Sequence, residues 1–558
     1  MAFSTIDPPP GRYAWAARGD VNAFFGLVLD NIGDMILMAT LLVGVFGFPA
    51  EFVLTRMIPG TALGVMVGDL IYTYMAFRLA RRSGRRNVTA MPLGLDTPST
   101  FGVVFLVLGP AFVGATKAGM DPGASARQAW FVGVAMIFAS GLFKLACAPI
   151  CGWIRRAVPR AGLLGSLVSI ALVIISFLPL IEIAGQPVAG MAALGLILMT
   201  LTARWRLPGQ VPGALGALLV GGLIYYVMHL LGLGPGLGVD GARPTLAFRA
   251  TLPVPAAEWW SWFQANWRVA LAYLPVSLPL ALATVVGGID CAESAAAAGD
   301  DYPTGAIVAA EGLATIVGGI FGGVIQSTPY IGHPAYKAMG ARAAYTLATA
   351  LFIGAAGVFG YFGWIFYLVP KAVVFPILIF VGLEITAQSF AATPRRHYPA
   401  LVLACVPALA YLAYLIMNRL FNDAGKPFGD YPKATGVWLQ TITILANGFI
   451  VTSLLWGTAL ARLIDGRAVS AAGTFLAAGV LALFGVIHSP LASGPILAPW
   501  DAVALLKEQG RWQATMRMSP YHWAAAYGVV AALVLAVGRL GTQPRVEDVD
   551  DMDRRDRP

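Results

Sequence analysis

Charge is the scarcest property of this sequence. Charged side chains make up 12% of its 558 residues, against 58% hydrophobic ones. A soluble globular chain is about half apolar and carries roughly a quarter charged residues. Halving the charge removes the side chains that would face water, which argues against a soluble enzyme, a nucleic-acid binder and a disordered chain. Cysteine is also rare: Cys147, Cys151, Cys291 and Cys405, each in an apolar run. Cys147 and Cys151 are four apart and share a helix face. No His or acidic residue completes a metal set around them, so all four read as buried, inert thiols. The sequence has no HExxH, no GxSxG elbow and no His/Cys cluster. No catalytic residue, metal or cofactor is therefore expected, and a membrane-embedded enzyme becomes the remote alternative.

What remains is apolar length. Mean hydropathy is +0.74, as in a multi-span membrane protein whose outer surface is itself apolar. Crossing about 30 Å of hydrocarbon takes roughly 20 apolar residues. The pattern predicts spans near 22–47, 57–78, 127–150, 160–183, 187–204 and 211–233. A second set falls near 270–298, 304–322, 343–368, 371–392, 398–418 and 436–463, with two more near 470–488 and 522–540. Residues 1–20 are polar and carry no cleavable signal pattern, so the first span directs insertion. The net charge of +9 is clustered. Arg78, Arg81, Arg82, Arg85 and Arg86 form one group, Lys144, Arg155, Arg156 and Arg160 a second, and Arg204/Arg206, Arg395/Arg396 and Arg462/Arg467 three more. These fall on one side if both termini are cytoplasmic, as the positive-inside rule requires, with Lys426 and Lys433 on the other side as a mild exception. The run 257–268 carries Trp259, Trp260, Trp262 and Trp267, a density that suits a membrane interface. The tail has almost no apolar content and is expected to be disordered.

Two stretches are too broken by Gly and Pro for a plain helix, yet too apolar for a loop: 91–108 and 324–341. They count as the third and tenth segments, seven apart. Val158-Pro159-Arg160-Ala161 and Val369-Pro370-Lys371-Ala372 open the fifth and twelfth, also seven apart. Halves of odd segment number have opposite orientation, and matched interrupted segments in two halves point to a transporter binding site. The expected organisation is a cytoplasmic segment 1–21, a first inverted repeat 22–233, an external loop 234–268 with a Trp-rich interfacial helix, a second repeat 269–463, two added helices in 464–541 and a cytoplasmic tail 542–558.

Intramembrane polar residues are costly and hence functional candidates. Asp290 and Glu293 are three apart on one helix face. Two such carboxylates do not both ionise easily in a low dielectric, which suits proton coupling or acceptance of a solute N–H. The alternative for Glu293 is solvation near the cytoplasmic end, beside the sequence GDDYP at 299–303. The first span carries Asp30, Asn31 and Asp34, and the second Asp69; Asn31 and Asp34 read as polar support, with helix packing the plain alternative. Glu311, one or two turns into its span, is as well explained by structural hydrogen bonding. Within the breaks, Asp96, Thr97, Gln326, Ser327, Thr328, Tyr330 and His333 offer donors and acceptors beside freed backbone groups.

The run from Glu311 to Gly323, then Gln326-Ser327-Thr328-Pro329-Tyr330-Ile331 and Gly340-Ala341-Arg342, resembles nucleobase permeases of the xanthine/uracil and adenine/guanine/hypoxanthine group. Gly94-Leu95-Asp96-Thr97, Ala292-Glu293-Ser294 and Ala446-Asn447-Gly448 are similar to segments of the same group. The resemblance covers roughly 22–463 and is strongest at 311–342. It implies seven plus seven inverted segments, with a core that holds solute and a gate, and an eighth-span carboxylate bonding the base. Two departures stand out. Gly332 and His333 follow Tyr330-Ile331 where those permeases have an acidic residue. The same stretch also aligns with sulfate/bicarbonate transporters, which share the fold but often carry a basic residue there.

The sequence is thus read as an all-α polytopic membrane protein, a seven-plus-seven inverted-repeat transporter with broken third and tenth segments and about two extra C-terminal helices. Its expected function is proton- or cation-coupled uptake of a nucleobase-like solute by alternating access. Asp290, Glu293, Asp96, Thr97, Gln326, Ser327, Thr328, Tyr330 and His333 are assigned to solute, and Glu293 and Asp290 to proton coupling. An anion transporter of the same fold is the alternative. The expected partners are a small-molecule substrate and the bilayer of a plasma or inner membrane, with a homodimer as an option and no nucleic acid.

Overall fold

The computed structural model describes residues 13–153, 159–233, 257–330, 332–423, 433–491, 497–508 and 514–540. The expectations for residues 1–12, for the loop 234–256 and for the tail beyond 540 lie outside the described residues. Long apolar runs leave the backbone no water to bond, so they satisfy it internally as helices. In chain order these are α1 (Gly19–Gly44), α2 (Ala50–Ser83), α3 (97–117), α4 (Pro122–Cys147), α5 (Arg160–Gly185), α6 (Pro187–Thr202) and α7 (Gly213–Leu230). Then come α8 (Ala257–Ala297), α9 (Thr304–Ile320), α10 (His333–Ala338), α11 (Ala344–Val358), α12 (Phe362–Leu368), α13 (Lys371–Ala392) and α14 (Tyr398–Asp423). The last are α15 (Lys433–Ala446), α16 (Phe449–Ile464), α17 (Ala468–Leu483), α18 (Pro499–Glu508) and α19 (Ser519–Leu540). Among the described residues, 9 helices are long and apolar enough to cross a membrane, or up to 11 if each bent pair counts as one span.

Two expected helices take a different form. The span at 343–368 is the pair α11 and α12, bent by 92° at Gly360, whose φ is 73°. The span at 436–463 is α15 and α16, bent by 73° at Gly448, φ 71°. Only a residue tolerant of the left-handed region turns a helix end so sharply. The Trp-rich run 257–268 is helical up to a break in helical backbone at Asn266, φ −124° and ψ 23°. Beyond that kink α8 continues, and the indoles of the run face α4: Trp259 Nε1 donates to Phe131 O at 3.1 Å and Trp262 Nε1 to Gln128 Oε1 at 2.8 Å.

The chain forms two compact units. The first holds Met1–Gly152, Pro179–Trp267 and Thr284–Phe380. Its centre is α2 packed on α9 and α11. Gly60, Gly64 and Gly68 stripe one face of α2, and a Cβ at Gly60 would collide with the backbone nitrogen of Gly323. Such small-residue stripes let helices approach closely enough for backbone contact. Gly60→Ala is therefore expected to overpack this seam by about 1–3 kcal/mol, read as a lower melting temperature in detergent. An unchanged melting temperature would contradict this packing.

The second unit holds Trp153–Leu178, Arg268–Ala283 and Val381–Pro558. Here α5, α14 and α16 form a bundle, and α17 and α19 pack on each other and on α16. The bend at Asn447-Gly448 frees backbone groups. The segment after α17 lies over that bend: His488 N donates to Asn447 O at 3.0 Å, and Asn447 Nδ2 donates to Ser489 O and Leu491 O at 2.7 and 2.9 Å. Buried His488 is held in turn by Tyr527 Oη at 2.7 Å and by the stacked ring of Trp523. The added helices thus close the last bend of the chain.

Candidate functional site

The two Gly/Pro-broken stretches meet. β1 (Leu93–Leu95) and β2 (Ser327–Pro329) pair antiparallel, with Leu93 opposite Pro329 and Leu95 opposite Ser327. The ladder extends to Tyr330 N–Pro92 O at 2.8 Å and Asp96 N–Gln326 O at 2.9 Å. A two-stranded ribbon leaves two outer edges unpaired, and an unpaired edge is not tolerated in hydrocarbon. Side chains supply the missing partners. On β1, Leu93 N donates to Asp69 Oδ1 at 3.1 Å, and Asn31 Nδ2 reaches Leu93 O at 3.4 Å. On β2, Ser327 N donates to Thr315 Oγ1 at 3.1 Å, and Lys144 Nζ donates to Ser327 O at 2.8 Å. Pro329 has no N–H to satisfy, and its carbonyl accepts from Cys291 Sγ at 3.3 Å.

Lys144 corrects the charge reading of the sequence. It does not belong to a basic flank of the membrane. Both its side chain and that of Glu311 are 0% exposed, and they pair at 3.2 Å. Glu311 also lies against α8, where a Cβ at Gly288 would come within 2.6 Å of its Oε2. One charge pair thus ties α4, α9, α8 and β2. The available signal was position: Lys144 stands inside the apolar run with Ser140 and Cys147, well before Arg155.

The predicted site residues divide by environment. Asp290 and Glu293 on α8, with Thr328 and Tyr330 at β2, keep partial exposure in otherwise buried surroundings. Gln326 is buried, with Thr284 Oγ1 3.5 Å from its Oε1. Ser327 is buried as well, and its Oγ lies toward Gly64 of α2. Asp96 caps α3, its Oδ2 accepting from Ser99 N at 2.8 Å, which places a carboxylate at the positive end of that helix. Thr97 Oγ1 donates to Asp34 Oδ2 at 3.0 Å. A Cβ at Gly94 would sit tightly, 3.3 Å from Asp30 Oδ2 and 3.9 Å from Tyr330 Cβ.

His333 is drawn to a different cluster. Its Nε2 sits 3.2 Å from Thr89 O and 3.4 Å from Asp300 Oδ2. Asp300, in the turn between α8 and α9, also pairs with Lys337, accepts from Thr89 N at 3.0 Å, and lies 3.5 Å from Arg85 Nη2. Burial alone would raise its pKa. The bonds from His333, Lys337 and Thr89 outweigh it and hold the carboxyl below its ordinary value. A depressed acid contributes stability above its unfolded pKa of about 3.9 and loses it as pH falls through the lower folded value. The acid limb of thermal stability is therefore expected to flatten in Asp300→Asn, scanned from neutral pH downward. An identical acid limb would count against this cluster.

A cavity of about 90 Å³ lies elsewhere, lined by Gln186, Tyr225 and Met228 among others, with no charged side chain. It is away from the strand pair and offers none of its chemistry. Among the described residues no group of three or more His, Cys, Asp or Glu side chains is arranged to hold a metal ion.

No family model matches the chain, and no curated protein matches it. Among solved structures it is similar to the transmembrane domain of a cyanobacterium bicarbonate transporter, BicA, at 15% identity and a TM-score of 0.44, covering 79% of this chain and 97% of that one. It is also similar to SLC26A9, at 13% identity and a TM-score of 0.45, covering 70% of this chain and 62% of that one.

Proposed function

We propose that the protein is a secondary active transporter in which a proton or another small cation moves with the solute. The observation that carries this reading is the pairing of two broken segments within an apolar helical unit, beside partly exposed carboxylates. Irregular backbone at membrane depth is tolerated where it is buried in protein or lines a cavity, and half-helix ends there meet solute. The strand-edge contacts also support an inverted repeat. Asp69 on the second segment and Thr315 on the ninth receive the strand N–H groups. Those N–H groups belong to Leu93 and Ser327, the first residues of the two strands.

For the solute, Asp290 and Glu293 favour a partner that presents N–H groups, such as a nucleobase, with Thr328 and Tyr330 completing the contacts. An anion as solute has one observation in its favour: Lys144, a buried cation directly behind β2. A thermal-shift screen of the detergent-purified protein separates the two, because a ligand that binds only the folded state raises the melting temperature. Purines, pyrimidines and ureides form one arm, and sulfate, bicarbonate and dicarboxylates the other. A nucleobase hit supports the first reading. A hit confined to the anions replaces it with the second.

A further inference from the structure

The buried carboxylates of the first unit can be sorted by what each already holds. Asp20 accepts from Arg342 N and Tyr345 N, Asp69 binds the outer edge of β1, Asp96 caps α3, Asp300 pairs with Lys337, and Glu311 neutralises Lys144. Two remain. Asp30 and Asp34 lie one turn apart on α1 and so share a face. They are 2% and 0% exposed. Asp30 Oδ1 and Asp34 Oδ1 are buried without a hydrogen-bond partner, and so is Oδ1 of Asn31 between them. Among the described residues no ion pair joins either carboxylate to a basic side chain.

The surroundings supply oxygen, not positive charge. Thr97 Oγ1 bonds Asp34, and Asp30 Oδ2 lies on the side of Gly94 where a side chain would stand, 3.3 Å from the position of a Cβ there. The other titratable groups facing the pair are Asp96 at the start of α3 and Tyr336 of α10. Removing a carboxylate pair from water without a counter-charge costs several kcal/mol per ion, so such a pair is neutralised by whatever small cation reaches it.

We infer that Asp30 and Asp34, with Thr97 Oγ1, bind the coupling cation, a proton or Na⁺, and that Asp290 and Glu293 are left to the solute. This rests on the transporter reading for the word coupling; the cation site itself does not depend on it. The site lies beside β1 at its junction with α3, so its occupancy bears directly on one of the two broken segments.

The test needs no solute. Full-length protein in detergent is melted in NaCl and in choline chloride at equal ionic strength, and titrated potentiometrically between pH 5 and 8, alongside Asp30→Asn, Asp34→Asn and Thr97→Val. If the cation is Na⁺, the wild type melts a few degrees higher in NaCl, and both Asn variants lose the difference. Thr97→Val, which keeps both carboxylates, needs about 2- to 13-fold more Na⁺ for the same shift, as expected for one lost hydrogen bond. If the cation is a proton, NaCl has no specific effect, and Asp34→Asn lacks a titration step that the wild type shows in this range. A wild type with neither response, or Asn variants that retain it, would overturn the assignment. Uptake is read separately: a solute-free cation response with no solute ever carried would retire the transporter reading and keep the cation site.

Discussion

Lys144→Met is expected to lower stability by about 3–5 kcal/mol, the usual cost of breaking a buried pair by removing one partner. The loss has two parts. Glu311 keeps its burial and loses its counter-charge, and Ser327 O loses a donor at an edge of β2 where no water replaces it. The double variant Lys144→Met/Glu311→Leu removes the orphaned charge and should recover much of the loss, because replacing a buried pair by apolar residues is often nearly neutral. The residual deficit then reports the Ser327 bond. Melting temperatures of the four proteins in the cycle give the coupling directly. If the single variants melt like the wild type, the pair is not the tie that holds α4, α9 and β2 together.

Asp290→Asn should do the reverse, leaving stability alone and removing solute affinity. Asp290 keeps partial exposure on α8, and the amide of Asn has the same shape and can still hydrogen-bond there. A hydrogen bond to a charged group contributes about 1.5–3 kcal/mol, which is roughly 10- to 150-fold in affinity. Titration of the solute found by the thermal-shift screen into wild-type and variant protein checks this. Glu293→Gln, one turn along the same face, is expected to weaken binding as well. Unchanged affinity in both variants would remove α8 from the site and leave the strand pair alone to contact solute.

Much of this architecture was legible from apolar length. The spans at 160–183, 304–322 and 371–392 lie within a few residues of the observed helices, because hydrocarbon thickness dictates length. The two breaks were legible too, since Pro92, Pro98, Pro329 and Pro334 prevent a regular helix. Their pairing into a ribbon was not, because strand partners more than two hundred residues apart leave no local pattern. The division of labour among the carboxylates was equally hidden. Asp69, Asp96 and Asp30 look alike in the sequence, and only the backbone groups they meet tell them apart. Lys144 was misread because a count of basic residues ignores depth. His333 lies within the break, yet its ring is drawn toward Asp300, which the sequence offers as part of a turn after the eighth span and not as a partner of the break.

The ribbon also constrains how the protein is made. Leu93 meets Pro329, about 236 residues later in the chain. At about 5–20 residues per second, roughly 12–50 seconds separate their synthesis. Through that interval the inner edge of β1 has left the ribosome with Pro92 O and Asp96 N lacking their partners, Tyr330 and Gln326. The first broken segment therefore has no finished structure to enter the lipid with. It must wait in a wetter place, at the insertion machinery or against helices already assembled, until its counterpart arrives.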